Sequence, residues 1–285
     1  MKLPAFEYAC PSTLREAVAL LASGEGDAKV LAGGQSLVPM MAFRVASPAL
    51  VVDLRKLSEL RRIDVTDTGV RLGAMVRWRD IEDDARLDAA HPLLKAAIRE
   101  VAHYQIRNRG TVGGSIAHAD PAAEMPGIAV ACDAEIAVVG RAGERTIRAG
   151  DMFIAPLTTA LAADEIIVKI RLPAWPSGRR WAFKEFARRR GDFAMAGTAL
   201  FYDTDAGGKA RNAHVGAIGI GDRPQRLAAA EAEINGRVVD VAVSERAGAA
   251  ASAAVTPQSD IHASAAYRKS LLGTLVERAL QSACG

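Results

Sequence analysis

Two pairs of glycines, each followed within two residues by a serine, are the residues of this chain best suited to bind a ligand. The first pair lies in residues 31–37 (LAGGQSL) and the second in residues 111–117 (TVGGSIA). Glycine reaches positive φ and has no Cβ, so consecutive backbone N–H groups can converge on an anion. The hydroxyls of Ser36 and Ser115 are further donors. Two such segments predict a long, phosphate-bearing ligand held by two separate parts of the chain.

Neither segment fits the common nucleotide-binding motifs. The spacing differs from the six-residue Rossmann pattern, and no lysine follows the glycines as it does in a P-loop. From spacing alone, a plain turn between a strand and a helix explains the first pair equally well. The second pair follows Arg107 and Arg109, which are as readily a solvated surface as ligand contacts. A pyrophosphate bound mainly by neutral N–H groups fits both segments.

Three stretches of the chain resemble signatures of a known family. They are residues 32–39 (AGGQSLVP), residues 111–121 (TVGGSIAHADP) continuing to Glu124, and residues 183–188 (FKEFAR) with Asp192. Along essentially its whole length the chain resembles the FAD-binding medium subunits of molybdenum hydroxylases. That family includes the carbon monoxide dehydrogenase medium chain and the flavin segment of xanthine dehydrogenase. The two glycine segments together, at this separation, are specific to it.

The resemblance implies a set of FAD-binding residues. They are Ala32, Gly33, Gly34, Gln35, Ser36 and Leu37 in the first segment; Thr111, Gly113, Gly114, Ser115 and Ala117 in the second; and Asp120, Glu124, Ile167 and Lys184. The first segment would cradle the pyrophosphate, and the second would lie on the phosphate and ribityl side. Some relatives have His in place of Gln35, and both side chains donate hydrogen bonds.

The remaining implied contacts lie nearer the flavin ring. Asp120 and Glu124 would approach the ribityl and the isoalloxazine, although Asp120 followed by proline also reads as a turn initiator. Glu124 stands where xanthine dehydrogenase has Asp. Ile167 would contact the ring near N5 through its backbone. Lys184 would stabilise negative charge on the reduced ring, the alternative being an exposed strand lysine.

By this resemblance the chain is an oxidoreductase subunit that passes electrons from partner-subunit [2Fe-2S] clusters through FAD to NAD, quinone or oxygen. A small iron–sulfur subunit and a large molybdopterin subunit are the implied partners, in a dimer of heterotrimers. No catalytic side chain and no metal ligand is predicted on this chain. Two alternatives stay open: a self-sufficient FAD-dependent oxidase or dehydrogenase, and a non-redox nucleotide-binding assembly module.

Composition excludes several other classes. The net charge of +3 is small for 285 residues, and the basic residues are mixed with acids, so no nucleic-acid footprint is expected. No apolar run is long enough to span a bilayer and no secretory signal opens the sequence, which predicts a cytoplasmic protein. Cys10, Cys132 and Cys284 are too widely spaced to indicate a metal site or a disulfide framework.

The hydrophobic pattern predicts an α+β protein in three parts. Residues 1–55 form an N-terminal α/β subdomain, residues 56–173 a second α+β subdomain and residues 174–285 a C-terminal domain. The third part is expected to hold a three-stranded antiparallel sheet followed by helices. Residues 11–13 (PST), which precede an apolar periodic run, predict a capped helix that ends at Gly24. Hairpins are predicted around residues 67–69 (DTG) and 141–143 (RAG), a helical stretch around residues 78–87, and loops at strand-to-helix transitions for the two glycine segments. The resemblance implies that the first two parts enclose FAD in a fold of the vanillyl-alcohol oxidase type.

Overall fold

The computed structural model describes residues 2–283, so Cys284 lies outside the described residues. The strands are β1 (Glu7–Ala9), β2 (Ala28–Leu31), β3 (Leu50–Asp53), β4 (Ile63–Thr66), β5 (Gly69–Gly73), β6 (Glu135–Gly140), β7 (Gly143–Arg148), β8 (Phe153–Ala155), β9 (Thr158–Thr159), β10 (Ile166–Pro173), β11 (Arg180–Phe186), β12 (Ala196–Thr204), β13 (Ala210–Ile218) and β14 (Gln225–Arg226). The helices are α1 (Leu14–Ser23), α2 (Leu37–Ala42), α3 (Trp78–Asp83), α4 (Leu87–Ala90), α5 (Pro92–Ile98), α6 (Tyr104–Arg107), α7 (Val112–His118), α8 (Glu124–Ala131), α9 (Ala149–Met152), α10 (Ala228–Ile234), α11 (Val241–Ala253) and α12 (Ala265–Ala283). This element content confirms the α+β class.

The first sheet is parallel and has the strand order β1-β3-β2. Helix α1 covers it and is capped as the sequence predicts, because the Thr13 hydroxyl accepts a hydrogen bond from the Glu16 N–H at 3.2 Å. Parallel strands bring their carboxyl ends to one edge of a sheet. Residues 32–36 therefore leave β2 at the edge where ligands usually bind in such sheets.

The second sheet is antiparallel, in the order β4-β5-β10-β6-β7. Its hydrophobic core contains Leu72 of β5, Ile136 of β6 and Ile170 of β10, each with no exposed surface. Helices α5, α7 and α8 contribute to the same core. The two hairpins predicted from the sequence, β4–β5 and β6–β7, are confirmed.

The third sheet has the order β11-β12-β13-β14, so the prediction of three strands is wrong. The fourth strand pairs Gln225 and Arg226 with Ala217 and Gly216 of β13. Two polar residues give no hydrophobic period, so this strand carries no signal in the sequence. One face of the sheet packs on α10, α11 and α12, and the other face packs on the core of the second sheet.

Aromatic and ionic contacts hold the segment that connects β10 of the second sheet with β11 of the third. The guanidinium of Arg179 lies 5.0 Å from the ring centre of Trp175 and 4.4 Å from that of Phe201. It also donates to both carboxylate oxygens of Asp203, at 2.8 and 2.9 Å. Trp175 packs in turn against the buried ring of His91. These contacts fix the third sheet on the second one.

Most other elements agree with the predicted ones, with two local differences. The predicted helix at 78–87 is divided into α3 and α4, which Asp84 separates with an extended backbone. The second glycine pair lies inside α7 and not in a loop. Within residues 2–283 no helix combines the length and the apolar composition needed to cross a membrane.

Candidate functional site

The first glycine segment is a tight loop between β2 and α2. Gly34 has φ +74°, a backbone conformation that favours glycine. The carbonyl of Gly34 accepts the Val38 N–H, and the carbonyl of Gly33 accepts the Gln35 side-chain amide at 3.2 Å. Gln35 thus braces the loop with one of its donors. The N–H groups of residues 33–36 donate to no atom of the described residues. The loop therefore presents four consecutive unused amide donors.

The two glycine segments touch each other through their backbones. A Cβ on Gly33 would overlap the carbonyl oxygen of Arg109 and would lie 2.9 Å from the Cα of Gly110. Gly110 is itself pressed against Trp78, since a Cβ there would lie 2.6 Å from the indole nitrogen. The first sheet and the helices of the second sheet thus meet where the two segments meet.

The amides of the second segment are already used within the protein, which corrects one expectation. Val112 N donates to Val76 O at 2.9 Å, and Gly113 N donates to Ala74 O at 2.8 Å. Gly114 N donates to the Thr111 hydroxyl at 3.2 Å, which caps α7. The prediction that consecutive N–H groups of this segment converge on an anion is therefore wrong for these three amides, because backbone carbonyls after β5 and the Thr111 hydroxyl already accept them.

The glycines of the second segment serve close packing. A Cβ on Gly113 would lie 2.5 Å from the Cβ of Ala74, so α7 sits directly on the chain that follows β5. A Cβ on Gly114 would lie 2.8 Å from the Thr111 hydroxyl and 3.7 Å from the Cβ of Ala32. Gly114 therefore faces the first segment across a narrow gap. Among the described residues, the half-buried Ser115 hydroxyl has no hydrogen-bond partner and is available to a ligand there.

Asp120 lies in the turn before α8, and Glu124 is the first residue of that helix. Asp120 accepts the Ala122 N–H at 2.9 Å, as a turn initiator does. Glu124 is 7% exposed, and burial raises the pKa of its carboxyl to about 7, with smaller contributions from the negative charges of Asp120 and Glu100. The structure thus brings these two acids together on the chain that leads away from α7.

The two faces of β11 separate Lys184 from Glu185. Side chains alternate along a strand, so Lys184 shares a face with Ala182, which packs in the core formed with the C-terminal helices. Glu185 lies on the opposite face with Phe183, which packs on the core of the second sheet. Lys184 is half-buried and forms no ion pair with a carboxylate of the described residues. Its contact with a flavin stays a prediction.

The other predicted residues differ in accessibility. Ile167 is 5% exposed, so a ligand could reach it through the backbone, beside the register shift between β10 and β6. Ala117 is exposed on α7, and Leu37 begins α2. Their place in the site stays a prediction.

Several residues that shape the site were not identifiable from the sequence. The carbonyls of Ala74 and Val76 accept the first amides of α7, and the carbonyl of Arg109 packs against Gly33. These are backbone atoms, which every residue type has, so the sequence carries no signal for them. Gly110, directly before Thr111, carried a usable signal as a third glycine of the segment. Glu185 and Glu100 reach Glu124 from distant parts of the chain, which spacing does not reveal.

The donor set fits a pyrophosphate better than a metal. Four free amides and the hydroxyls of Ser36 and Ser115 are hydrogen-bond donors without positive charge, which suits a ligand oxygen. No group of three metal-binding side chains occurs among residues 2–283. The residues present therefore fit an extended dinucleotide.

Two family models match the chain. The first is described as the FAD binding domain in molybdopterin dehydrogenase and matches residues 4–175. The second is described as the CO dehydrogenase flavoprotein C-terminal domain and matches residues 181–283. The two matches together span almost the whole sequence.

Similar proteins cover the chain from end to end. The nicotine 6-hydroxylase medium subunit of Paenarthrobacter nicotinovorans is 40% identical over 283 residues, which is 99% of each chain. Carbon monoxide dehydrogenase from Hydrogenophaga pseudoflava, in a form that lacks the Mo-pyranopterin moiety of the molybdenum cofactor, contains a chain that superposes with a TM-score of 0.96. That chain is 37% identical, and the match covers 99% of this chain and 98% of that one. Quinoline 2-oxidoreductase from Pseudomonas putida 86 superposes with a TM-score of 0.94 at 36% identity, covering 100% and 98%.

Proposed function

Because the chain belongs to the family of FAD-binding medium subunits of molybdenum hydroxylases, we propose that it binds one FAD where its two glycine segments meet and relays electrons through it. The electrons would come from [2Fe-2S] clusters of a partner subunit and leave to a terminal acceptor. FAD supplies the chemistry for this task, since a flavin exchanges electrons singly or in pairs.

The observation that carries the proposal is the backbone contact of Gly33 with Arg109 and Gly110. Together with the 3.7 Å between a Cβ on Gly114 and the Cβ of Ala32, this contact supports one ligand being bound by the four unused amides of the first segment and the Ser115 hydroxyl of the second. We infer that these amides bind the diphosphate of FAD. Thr111 holds the helix that carries Ser115 by capping it at Gly114.

The chain's other residues would orient the ring and tune its environment. Glu124 and Asp120 enter the proposal because they lie on the chain leaving α7 and are electrostatically coupled. The backbone of Ile167 and the side chain of Lys184 enter it by resemblance alone. No side chain is required as a nucleophile or a general base, because the protein's part is binding, orientation and electrostatic tuning.

The assembly is also part of the proposal. Two of the relatives are named a medium subunit and a medium chain, which supports a small iron–sulfur subunit and a large molybdopterin subunit as partners, in a dimer of heterotrimers. The acceptor would be NAD, quinone or oxygen, and the location cytoplasmic. We further propose the division 1–55, 56–173 and 174–285, and a flavin-binding arrangement of the vanillyl-alcohol oxidase type. The three larger sheets, one in each part, support this division.

The first experiment is a visible spectrum of the chain purified with its co-expressed partner subunits, with the released cofactors identified by mass. FAD with iron–sulfur absorbance and a pterin is the expected result. FAD in a chain that purifies alone and is reduced directly by a small molecule would replace the proposal with a self-sufficient flavoenzyme. Absence of flavin after reconstitution would replace it with a non-redox nucleotide-binding module.

A further inference from the structure

Glu185 is a half-buried residue whose carboxyl has one buried, unsatisfied oxygen. It lies on β11 opposite Gly197 of β12, on the face that meets the second sheet. Its Oε2 atom is buried and has no hydrogen-bond partner among the described residues. A buried carboxylate oxygen without a donor is unfavourable, whereas a protonated carboxyl at the same place carries no charge. The position therefore favours the protonated acid.

The charges around Glu185 point the same way. Glu124 of α8 and Glu100, just after α5, both act on it as negative charges. Gly197 and its neighbours on β12 carry no charge. Helix α12 covers the other face, and its Arg268 is occupied with Asp260 at 2.6 Å. Arg190 is 82% exposed, lies 4.0 Å from Glu100 and is not among the charges that act on Glu185. No cation among the described residues is placed to neutralise Glu185.

Burial and the neighbouring acids set the titration of the two inner carboxyls. Burial, followed by the charges of Glu124 and Glu100, raises the pKa of Glu185 to about 8. Burial likewise raises the pKa of Glu124 to about 7. Two coupled acids lose their protons in steps that belong to the pair. Near neutral pH the pair is therefore poised between protonation states.

We infer that Glu185 and Glu124 together hold at least one proton at neutral pH, and that their occupancy is linked to the charge on the flavin of the proposed function. Only the link to the flavin rests on the proposed function; the proton held by the pair does not. Negative charge added to a neighbouring ring raises the proton affinity of the pair, and the pair then binds a proton from solvent. Glu100, whose side chain is 40% exposed, is the solvent-exposed acid among the charges that act on the pair.

Proton exchange by the pair makes and breaks only the O–H bond of a carboxyl, and no other bond of the protein changes. Each electron pair delivered to the site arrives with a proton taken from water by a carboxylate of the pair. When the electrons leave, the carboxyl returns that proton to water. The bound proton offsets part of the negative charge that the electrons bring, so the net charge of the site changes less than it would without the proton. Successive electron transfers then stay close in free energy.

The first test uses the flavin-free chain and the infrared carbonyl band of protonated carboxylic acids. At about pH 6, carboxyls with ordinary pKa values are ionised, so a remaining band reports raised ones. We expect this band in the wild type, a loss of intensity in Glu185→Gln, and an unchanged band in the control Glu245→Gln on the exposed surface of α11. A wild-type spectrum without the band, or a band that Glu185→Gln and Glu124→Gln both leave intact, would overturn the inference.

The second test uses the flavin-loaded protein in its complex and measures the midpoint potential of the flavin against pH. One additional proton for each electron pair changes the slope by about 30 mV per pH unit. We expect the wild type to show this extra slope above neutral pH and Glu185→Gln to lack it, with the flavin retained. Equal slopes in the wild type and the variant would remove the link to the flavin, whereas the infrared result would stand independently. A chain without flavin would contradict the proposed function and not the proton-holding pair.

Discussion

The Cα of Gly33 lies against the backbone carbonyl of Arg109, with no room for a side-chain carbon between them. Gly33 belongs to the loop after β2 and Arg109 to the chain just before α7, so this contact joins the two glycine segments. Packing of this kind cannot relax by rotating a side chain, because both partners are backbone. The distance between the segments is therefore set by the absence of a Cβ at Gly33.

Gly33→Ala should prevent FAD retention. The added methyl group overlaps the Arg109 carbonyl, so the first loop must move away from the second segment and take its free amides with it. We expect less than about a tenth of the wild-type flavin after gel filtration, which corresponds to a loss of at least 1.4 kcal/mol in binding. The flavin-to-protein ratio from the visible spectrum measures this.

Gly150→Ala is the matched control for that substitution. A Cβ on Gly150 would meet no atom within 4 Å, and the residue is exposed on the short helix α9. This variant should retain the wild-type amount of flavin. Full flavin in Gly33→Ala, with a circular dichroism spectrum equal to that of the control, would contradict the placement of FAD between the segments.

Lys184→Ala tests two conflicting expectations. The resemblance places the Lys184 side chain at the flavin, whereas strand alternation places it on the face of β11 that packs on the C-terminal helices. If the ammonium stabilises the reduced ring, its removal should lower the flavin potential by roughly 20–60 mV, which is about 1–3 kcal/mol for a two-electron couple. The flavin itself should be retained. The potential is measured by equilibrium titration against a reference dye, with the exposed Lys209→Ala as the control. An unchanged potential would assign Lys184 to the face of the C-terminal helices alone.

How far the sequence predicts this site depends on whether a contact is local. The Thr13 cap and the Asp67 to Gly69 turn of the β4–β5 hairpin depend on neighbours in the chain, and the structure agrees with both. The first loop was also correctly placed between a strand and a helix. The hydrogen bonds of the first α7 amides were not predictable, because their acceptors are the backbone carbonyls of Ala74 and Val76, which only tertiary packing brings close.

Glu185 illustrates the same limit. In the sequence it is one polar residue of an alternating strand beside Lys184, and either residue could have faced the site. Which face is buried against the second sheet is decided by the pairing of β11 with β12 and by the linker that fixes the third sheet. The alternating pattern of a strand shows that its two faces differ, but it does not show which part of the protein packs against each face.

Arg179→Ala should destabilise the contact between the second and third sheets. The change removes a stacked guanidinium and leaves the mostly buried Asp203 carboxylate without its bidentate partner. We expect a decrease of about 2–4 kcal/mol in the free energy of unfolding, measured by urea denaturation. The exposed Arg189→Ala should change it by less than about 0.5 kcal/mol. Equal stabilities of the two variants would show that the linker contributes nothing to this contact.

Arg179→Lys should recover only part of that loss. A lysine keeps the positive charge near Asp203, but it has no planar fork to bind both carboxylate oxygens and to lie flat on Phe201. The guanidinium also holds the pKa of Asp203 below its usual range, so its stabilisation is present at neutral pH and is lost as the pH falls through the folded-state value. The difference between wild type and Arg179→Lys should therefore shrink in acid, which a denaturation series from neutral to acidic pH measures. A difference independent of pH would assign the effect to stacking alone.

Glu124→Gln should become more stable relative to the wild type as the pH rises. Burial raises the pKa of Glu124 from its model-peptide value of 4.5 to about 7. A raised carboxyl pKa means that the folded state binds the proton more tightly than the unfolded chain does. The contribution of Glu124 to stability is thus fully present below pH 4.5 and is lost as the pH rises through 7. Glutamine stays neutral throughout and has no such loss.

The difference in unfolding free energy between Glu124→Gln and the wild type should therefore increase from pH 4.5 to 7 and then level off. Its total change is on the order of 3 kcal/mol, since one pKa unit corresponds to about 1.4 kcal/mol. Urea denaturation of the flavin-free chains across this range measures it, and the exposed Glu245→Gln should show a difference that does not vary. A flat difference for Glu124→Gln as well would mean that this carboxyl is ionised in the folded chain at neutral pH. Glu124 would then carry a fixed negative charge, and the exchangeable proton of the pair would belong to Glu185 alone.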